Sequence, residues 1–157
     1  KNITTLSYKD IQCELSNLKN NIKNPIYYIT LNKLEDFGIE VALASDVGGG
    51  DSFSMFQVMN EAYKICRLND YNLDPVKAFY LTTLAAAKVL NMDDSIGNFE
   101  VNKEADFIVL DLSATELITE KLKVAKDIND ILFSLMTLGD DRLIKEVYIL
   151  GQSIYKK

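Results

Sequence analysis

The chain has 157 residues, 48% of them hydrophobic, which is the composition of one folded domain of ordinary size and not of a disordered segment. Its formal net charge of -6 argues against nucleic acid as a partner, because phosphate binding needs clustered lysine and arginine. No apolar run is long enough to cross a bilayer, so no membrane partner is expected. Two cysteines without metal-ligand spacing, Cys13 and Cys66, indicate reduced thiols and a cytoplasmic location.

The first predicted segment, residues 1–38, begins polar and rich in asparagine and lysine. Tyr8–Leu18 has a weak helical pattern. A short helix is predicted over Leu31–Phe37, with Thr30 as its N-cap and Gly38 at the position where a left-handed C-cap is favoured.

The second segment, residues 39–92, is predicted to hold the last strand of a barrel and the helices after it. The apolar residues of Ile39–Ala44 run almost continuously, as in a strand that is buried on both faces of a parallel sheet. Ser52 is expected to cap a helix over Phe53–Leu68, whose apolar positions recur at spacings of three and four.

A further helix is predicted after Asp74, which suits an N-cap and is followed by Pro75 at the first helical position. This helix continues into the run Ala85–Ala87, whose small side chains allow close packing. The order of helix, strand, helix and helix is typical of the last unit of an α/β barrel.

The third segment, residues 93–157, is predicted to form β-sandwich strands with an inserted helix. The elements are a strand Asp106–Asp111, a helix Asp127–Leu138, a strand Ile144–Leu150, a tight turn Gly151–Gln152 and a last strand Ser153–Lys156. The fold class is therefore α/β: a part of a TIM-like (β/α) barrel plus strands of a small flanking β-sandwich.

Asp46 is the candidate for chemistry, because it stands at the carboxyl end of the predicted strand and is followed by Gly48–Gly50. Barrel enzymes place catalytic carboxylates at strand ends, and glycines let a ligand approach the backbone. The structural alternative is an aspartate that binds backbone N–H groups in a turn. Similarly, the residues Asp140–Arg142 suggest a local ion pair that fixes a helix-to-strand connection, in preference to an acidic metal pair.

Six blocks of the chain resemble bacterial guanine deaminases, a family within the amidohydrolase superfamily. They are Ala44–Met55, Asn60–Lys64, Ala78–Leu84, Ile96–Phe99, Lys103–Phe107 and Met136–Arg142. The last block, which contains Leu-Gly-Asp-Asp-Arg, favours the guanine deaminases over other members of the superfamily. Cys13–Leu18 is similar to a further segment of that family, with Glu14 in place of a proline.

The resemblance implies a zinc-dependent hydrolysis of guanine to xanthine and ammonia in a homodimeric enzyme. It implies that Asp46 is a metal-site residue that accepts the proton of the nucleophilic water and passes it to the leaving amine. Gly48 and Gly49 would line the pocket floor, with Phe53 or Met55 near the purine.

The chain departs from the family in one respect that decides its activity: it contains no histidine. Catalytic zinc normally takes three protein ligands, several of which are histidines in this family. We therefore expect the chain to be the carboxyl-terminal portion of a guanine deaminase, inactive alone and unable to retain zinc. The alternatives are another aminohydrolase of the superfamily that acts on a heterocyclic base, and a non-catalytic remnant that serves as an interaction module.

Overall fold

The computed structural model describes residues 31–157, so the predictions for residues 1–30, including the Thr30 cap and Cys13, lie outside it. The described part is an α/β chain in which four helices precede the first strand of a small sheet, and further helices separate that strand from the other two. Its elements are α1 (Leu31–Asp36), α2 (Met55–Leu68), α3 (Pro75–Thr82), α4 (Leu84–Val89), β1 (Phe107–Leu110), α5 (Glu116–Leu122), α6 (Ile128–Leu138), a 3-10 helix (Asp141–Leu143), β2 (Ile144–Ile149) and β3 (Gln152–Lys156).

The predicted glycine, Gly38, forms the left-handed C-cap that follows helix α1. Gly38 has a φ of 68°, and its N–H donates to the carbonyl of Glu35 at 2.8 Å, while Ile39 N–H donates to Leu34 at 2.9 Å. This pair of bonds is the Schellman arrangement, which satisfies the last carbonyls of a helix and needs a left-handed residue. The C-cap prediction is confirmed.

The predicted strand Ile39–Ala44 has no regular secondary structure and pairs with no strand within residues 31–157. Its residues are half-buried or exposed where full burial was expected. One backbone bond fixes it there, from Leu43 N–H to the carbonyl of Leu81 at 3.0 Å. Val41 and Leu43 pack against the core. Strand assignment requires a hydrogen-bonded neighbour, which the apolar pattern of one segment cannot supply.

The helix predicted from Phe53 begins two residues later, and its N-cap is Ser54 instead of Ser52. Ser52 is used before the helix starts, since its Oγ accepts a hydrogen bond from Ser54 N at 3.0 Å. Serine hydroxyls compete in this way for nearby backbone groups, which is why a serine pair leaves the cap position ambiguous in sequence.

The prediction for Asp74 is confirmed, because its carboxylate accepts from Val76 N at 2.9 Å and from Lys77 N at 3.3 Å. The helix that follows is interrupted, however, and the predicted single helix is wrong. Thr83 leaves the helical region, with φ -125° and ψ -97°, and separates α3 from α4. Its hydroxyl bonds the carbonyl of Phe79 at 2.8 Å, an alternative to the helical ladder that threonine offers.

The core lies among α2, α3 and α6, with α4, α5 and the 3-10 helix at its margins. Its buried hydrophobic residues are Phe56, Met59, Leu73, Ala78, Leu81, Ala85, Ile118, Leu135, Met136 and Leu143. Met59 of α2 lies in this core, with 1% of the residue exposed. Helix α5 has no counterpart in the sequence prediction. Helix α6 begins one residue after the predicted start, Asp127, which is its N-cap and accepts from Asp130 N.

The described strands form one antiparallel sheet in the order β1-β2-β3. The hairpin between β2 and β3 turns at Leu150 and Gly151, one residue earlier than predicted, and both have positive φ, 51° and 73°. Two successive left-handed residues make the type I′ turn that matches strand twist. Within residues 31–157 no second sheet and no membrane-spanning helix is found.

Candidate functional site

Asp46 lies in a tight turn that follows the predicted strand Ile39–Ala44. Its backbone carbonyl accepts from Gly49 N at 3.0 Å and from Gly50 N at 2.5 Å, and its φ is 46°. Aspartate is one of the few residues other than glycine that tolerate this left-handed conformation. The residue is exposed, so its carboxylate faces away from the core and is accessible to a ligand.

The glycines after Asp46 are required by the closeness of the turn. A β-carbon at Gly50 would overlap the carbonyl oxygen of Ser45, and one at Gly49 would lie 3.0 Å from Oδ2 of Asp46. Gly49 therefore lets the carboxylate lie against the backbone of the loop. Among the expected pocket residues, the structure brings Gly49 to Asp46.

The other expected pocket residues flank this turn along the chain. Gly48 is exposed, with a φ of 126° and open space around it. Phe53 is 82% exposed, and Met55, half-buried, is the first residue of α2. A loop with exposed apolar side chains beside a carboxylate can take part in a binding site.

No metal centre is formed by the described residues alone. Within residues 31–157 there is no group of three or more His, Cys, Asp or Glu side chains that could hold an ion. The whole chain has no histidine, and a catalytic zinc site normally takes three protein ligands. The residues present therefore do not fit a catalytic zinc without ligands from elsewhere.

The predicted local ion pair in the Asp140–Arg142 turn is confirmed. Arg142 donates from Nε and Nη2 to both carboxylate oxygens of Asp140, at 2.6–3.1 Å. The same carboxylate caps the 3-10 helix by accepting from Arg142 N at 2.9 Å. The turn joins α6 to β2, and its role is to fix that connection.

A polar network that sequence analysis missed joins α1 to α3. Lys77 Nζ lies 2.8 Å from Oε1 of Glu35, and Tyr71 OH donates to Oε2 of Glu35 at 3.2 Å. The Glu35 hydrogen bond raises the pKa of Lys77, and burial, followed by Glu35, raises the pKa of Tyr71. Glu35 is 36 positions from Tyr71 and 42 positions from Lys77 in the chain, so no local spacing in the sequence reveals this network.

A cavity of about 290 Å³ opens beside this network, lined by Glu35, Gly38, Ile39, Glu40, Val41, Lys77, Tyr80 and Leu81. Asp46 and its glycine loop do not line it. The cavity is therefore separate from the candidate site, and Lys77 and Glu35 form an ion pair at 2.8 Å on its wall.

Comparison with known proteins identifies the family. The sequence model of the Amidohydrolase family matches residues 6–154. Guanine deaminase from Escherichia coli K12 is 44% identical over 119 residues, which cover 76% of this chain and 27% of that protein. The E. coli guanine deaminase structure superposes with a TM-score of 0.79 at 43% identity, covering 82% of this chain and 30% of that one. The Bradyrhizobium japonicum guanine deaminase structure gives 0.72 at 32%, covering 82% and 34%.

The chain spans just over a quarter of the length of the E. coli relative, 27%. The match to the family model includes the turn at Asp46, the α3–α4 helices and the Asp140–Arg142 connection. On this evidence, the chain belongs to the amidohydrolase family.

Proposed function

We propose that this chain is a portion of a guanine deaminase, which hydrolyses guanine to xanthine and ammonia. The observation that carries the proposal is the 44% identity to the E. coli guanine deaminase over 119 residues. The Leu-Gly-Asp-Asp-Arg sequence at residues 138–142, which the resemblance associates with guanine deaminases, supports the same substrate.

In this proposal, Asp46 is the carboxylate that handles protons. Water adds to the amino-bearing carbon of guanine, and Asp46 accepts a proton from that water and returns it to the departing amine, so that ammonia leaves. Its exposed position in a glycine turn supports the role, because a proton carrier must reach the reacting atoms. Gly48, Gly49, Phe53 and Met55 are proposed to line the purine site.

Zinc belongs to the proposed whole enzyme and not to this chain by itself. Asp46 is one proposed ligand, and the remaining ligands must come from polypeptide beyond the residues that make up this site. We therefore propose that the chain alone neither retains zinc nor hydrolyses guanine. Residues 39–92 would complete the barrel and residues 93–157 a flanking β-sandwich; a homodimer and a cytoplasmic location are further proposals.

A chimera tests the function directly. The matching 119-residue region of the E. coli enzyme is replaced by the aligned region of this chain, and guanine, adenosine and cytosine are assayed. We expect hydrolysis of guanine in preference to the other two. Activity on adenosine or cytosine instead would favour another aminohydrolase of the superfamily.

Asp46→Asn in this chimera tests the role of the carboxylate. We expect guanine hydrolysis to fall by about 100-fold or more, the usual range for a lost proton carrier. Asn also tolerates the positive φ of residue 46, so the loop conformation should be retained. Asp51→Asn, in the same loop, is the control that should retain activity. Equal activities of the two variants would contradict the assignment.

The second candidate is a non-catalytic interaction module, which the absence of histidine favours. Guanine hydrolysis by the chimera separates the two candidates, because a non-catalytic module would leave the chimera inactive although it folds.

A further inference from the structure

The loop that carries Asp46 is held mainly at its two ends. Asp46, Val47, Gly48 and Gly49 are all exposed, so the middle of the loop has little packing against residues 31–157. At one end, Leu43 N–H donates to the carbonyl of Leu81 at 3.0 Å. At the other end the chain enters α2, whose first turn contains Phe56. The position of the carboxylate therefore depends on how these two ends are anchored.

The side chain of Phe56 packs the end of the loop that enters α2 against the Leu-Gly-Asp-Asp-Arg block, residues 138–142. The residue is 6% exposed, and its ring meets the ring of Phe79 edge to face at 6.4 Å. A β-carbon on Gly139 would come within 3.0 Å of Cγ and Cδ1 of Phe56 and would overlap the carbonyl oxygen of Leu135. The ring thus occupies space that exists only because residue 139 is glycine.

Two further contacts keep this junction in place. Asn60, one turn after Phe56, donates from Nδ2 to the carbonyl of Thr137 at 3.1 Å, which ties α2 to the last turn of α6. On the far side of Gly139, Asp140 and Arg142 lock the connection through their bidentate ion pair. Because close-packed interiors transmit strain, a shift at Gly139 should displace Phe56 in the first turn of α2 and the loop before it.

We propose that the Leu138–Arg142 block positions the loop that carries Asp46, through the contact between Gly139 and Phe56. In this proposal the block does not contact the substrate. It affects the candidate site by setting the position of the loop, so Gly139 is a positioning residue. The connection to guanine hydrolysis rests on the function proposed above, whereas the coupling between block and loop does not.

Hydrogen exchange of the 157-residue chain measures the coupling. The amides of Gly49 and Gly50, both bonded to the carbonyl of Asp46, report the loop, and amides of β2 report the rest of the fold. We expect Gly139→Ala to speed loop exchange about tenfold relative to β2, because local opening is governed by local anchoring. Gly97→Ala is the control, since its β-carbon would also be crowded, 2.8 Å from that of Ala87, but in contact with α4 and not with α2.

Phe56→Leu keeps a buried apolar side chain and removes the ring, so it tests the anchor even if Gly139→Ala does not fold. We expect faster loop exchange in Phe56→Leu, and a double variant whose effect is smaller than the product of the two single effects. The proposal would be overturned if the ratio of loop exchange to β2 exchange were the same in Gly139→Ala and Gly97→Ala, or if the effects of the two single variants on loop exchange multiplied in the double variant. If Gly139→Ala does not fold, unchanged loop exchange in Phe56→Leu would overturn it. None of these readouts depends on guanine hydrolysis.

Discussion

Arg142 forms a bidentate ion pair with the carboxylate of Asp140 through Nε and Nη2 of its guanidinium group. Nε lies 3.1 Å from each carboxylate oxygen and Nη2 lies 2.6 Å from Oδ2. The hydrogen bond from Arg142 is the main cause that holds the pKa of Asp140 below its ordinary value. A bidentate pair of this kind fixes geometry as well as charge.

We expect the ion pair between Asp140 and Arg142 to make the stability of the fold depend on pH. Because the folded-state pKa of Asp140 is lowered, its stabilisation should be complete above the unfolded value near ~4 and lost as the pH falls through the folded value. Thermal unfolding of the wild type and of Asp140→Asn between neutral and acid pH checks this. The difference between their midpoints should shrink on the acid side, and a constant difference would contradict the prediction.

Gly97 lies against α4 and should not accept a side chain. Its φ is 101°, and a β-carbon there would lie 2.8 Å from that of Ala87 and 3.1 Å from Cα of Leu84. We expect Gly97→Ala to lower the free energy of unfolding in urea by about 2–4 kcal/mol, from overpacking and backbone strain together. Gly38→Ala, with positive φ but nothing within 4 Å, should cost only about 1 kcal/mol. Equal losses would show that crowding at Gly97 is unimportant.

The N-caps of α2 and α3, Ser54 and Asp74, should differ in how much they stabilise the fold. Asp74 accepts two backbone hydrogen bonds, whereas the side chain of Ser54 makes no cap bond. We expect Asp74→Ala to cost about 1 kcal/mol of unfolding free energy and Ser54→Ala to stay within about 0.5 kcal/mol of the wild type. Denaturant titration measures both. A loss at Ser54 as large as that at Asp74 would be inconsistent with these cap geometries.

The hairpin turn offers a stabilising change. Leu150 has a φ of 51° and is 63% exposed, so it bears the strain of a left-handed residue without gaining burial. Asn-Gly is the preferred pair for a type I′ turn, and we expect Leu150→Asn to stabilise the chain by about 0.5–1 kcal/mol. Leu150→Ala keeps a β-carbon without the Asn preference and should give no such gain. The unfolding midpoint of each variant provides the measurement.

Local chemistry was sufficient to predict several elements from the sequence. Gly38 ends α1, Asp74 with Pro75 starts α3, and Asp127 starts α6, because in each case a residue satisfies backbone groups within its own turn. The ion pair between Asp140 and Arg142 was predictable for the same reason, since its partners are two residues apart.

Contacts between distant residues decided the rest. Ile39–Ala44 has the composition of a buried strand, yet its neighbours determine whether it pairs and how deeply it is buried. Thr83 breaks a helix that propensity would continue, and Gly139 is set against a ring 83 positions earlier in the chain by the packing of α6 on α2. By itself, the sequence determined the caps at Gly38 and Asp74 and the family-like carboxylate at Asp46, but not the cap of α2. The tertiary structure alone decided which side chains anchor that turn, because such contacts depend on helix packing and leave no periodic signal along the chain.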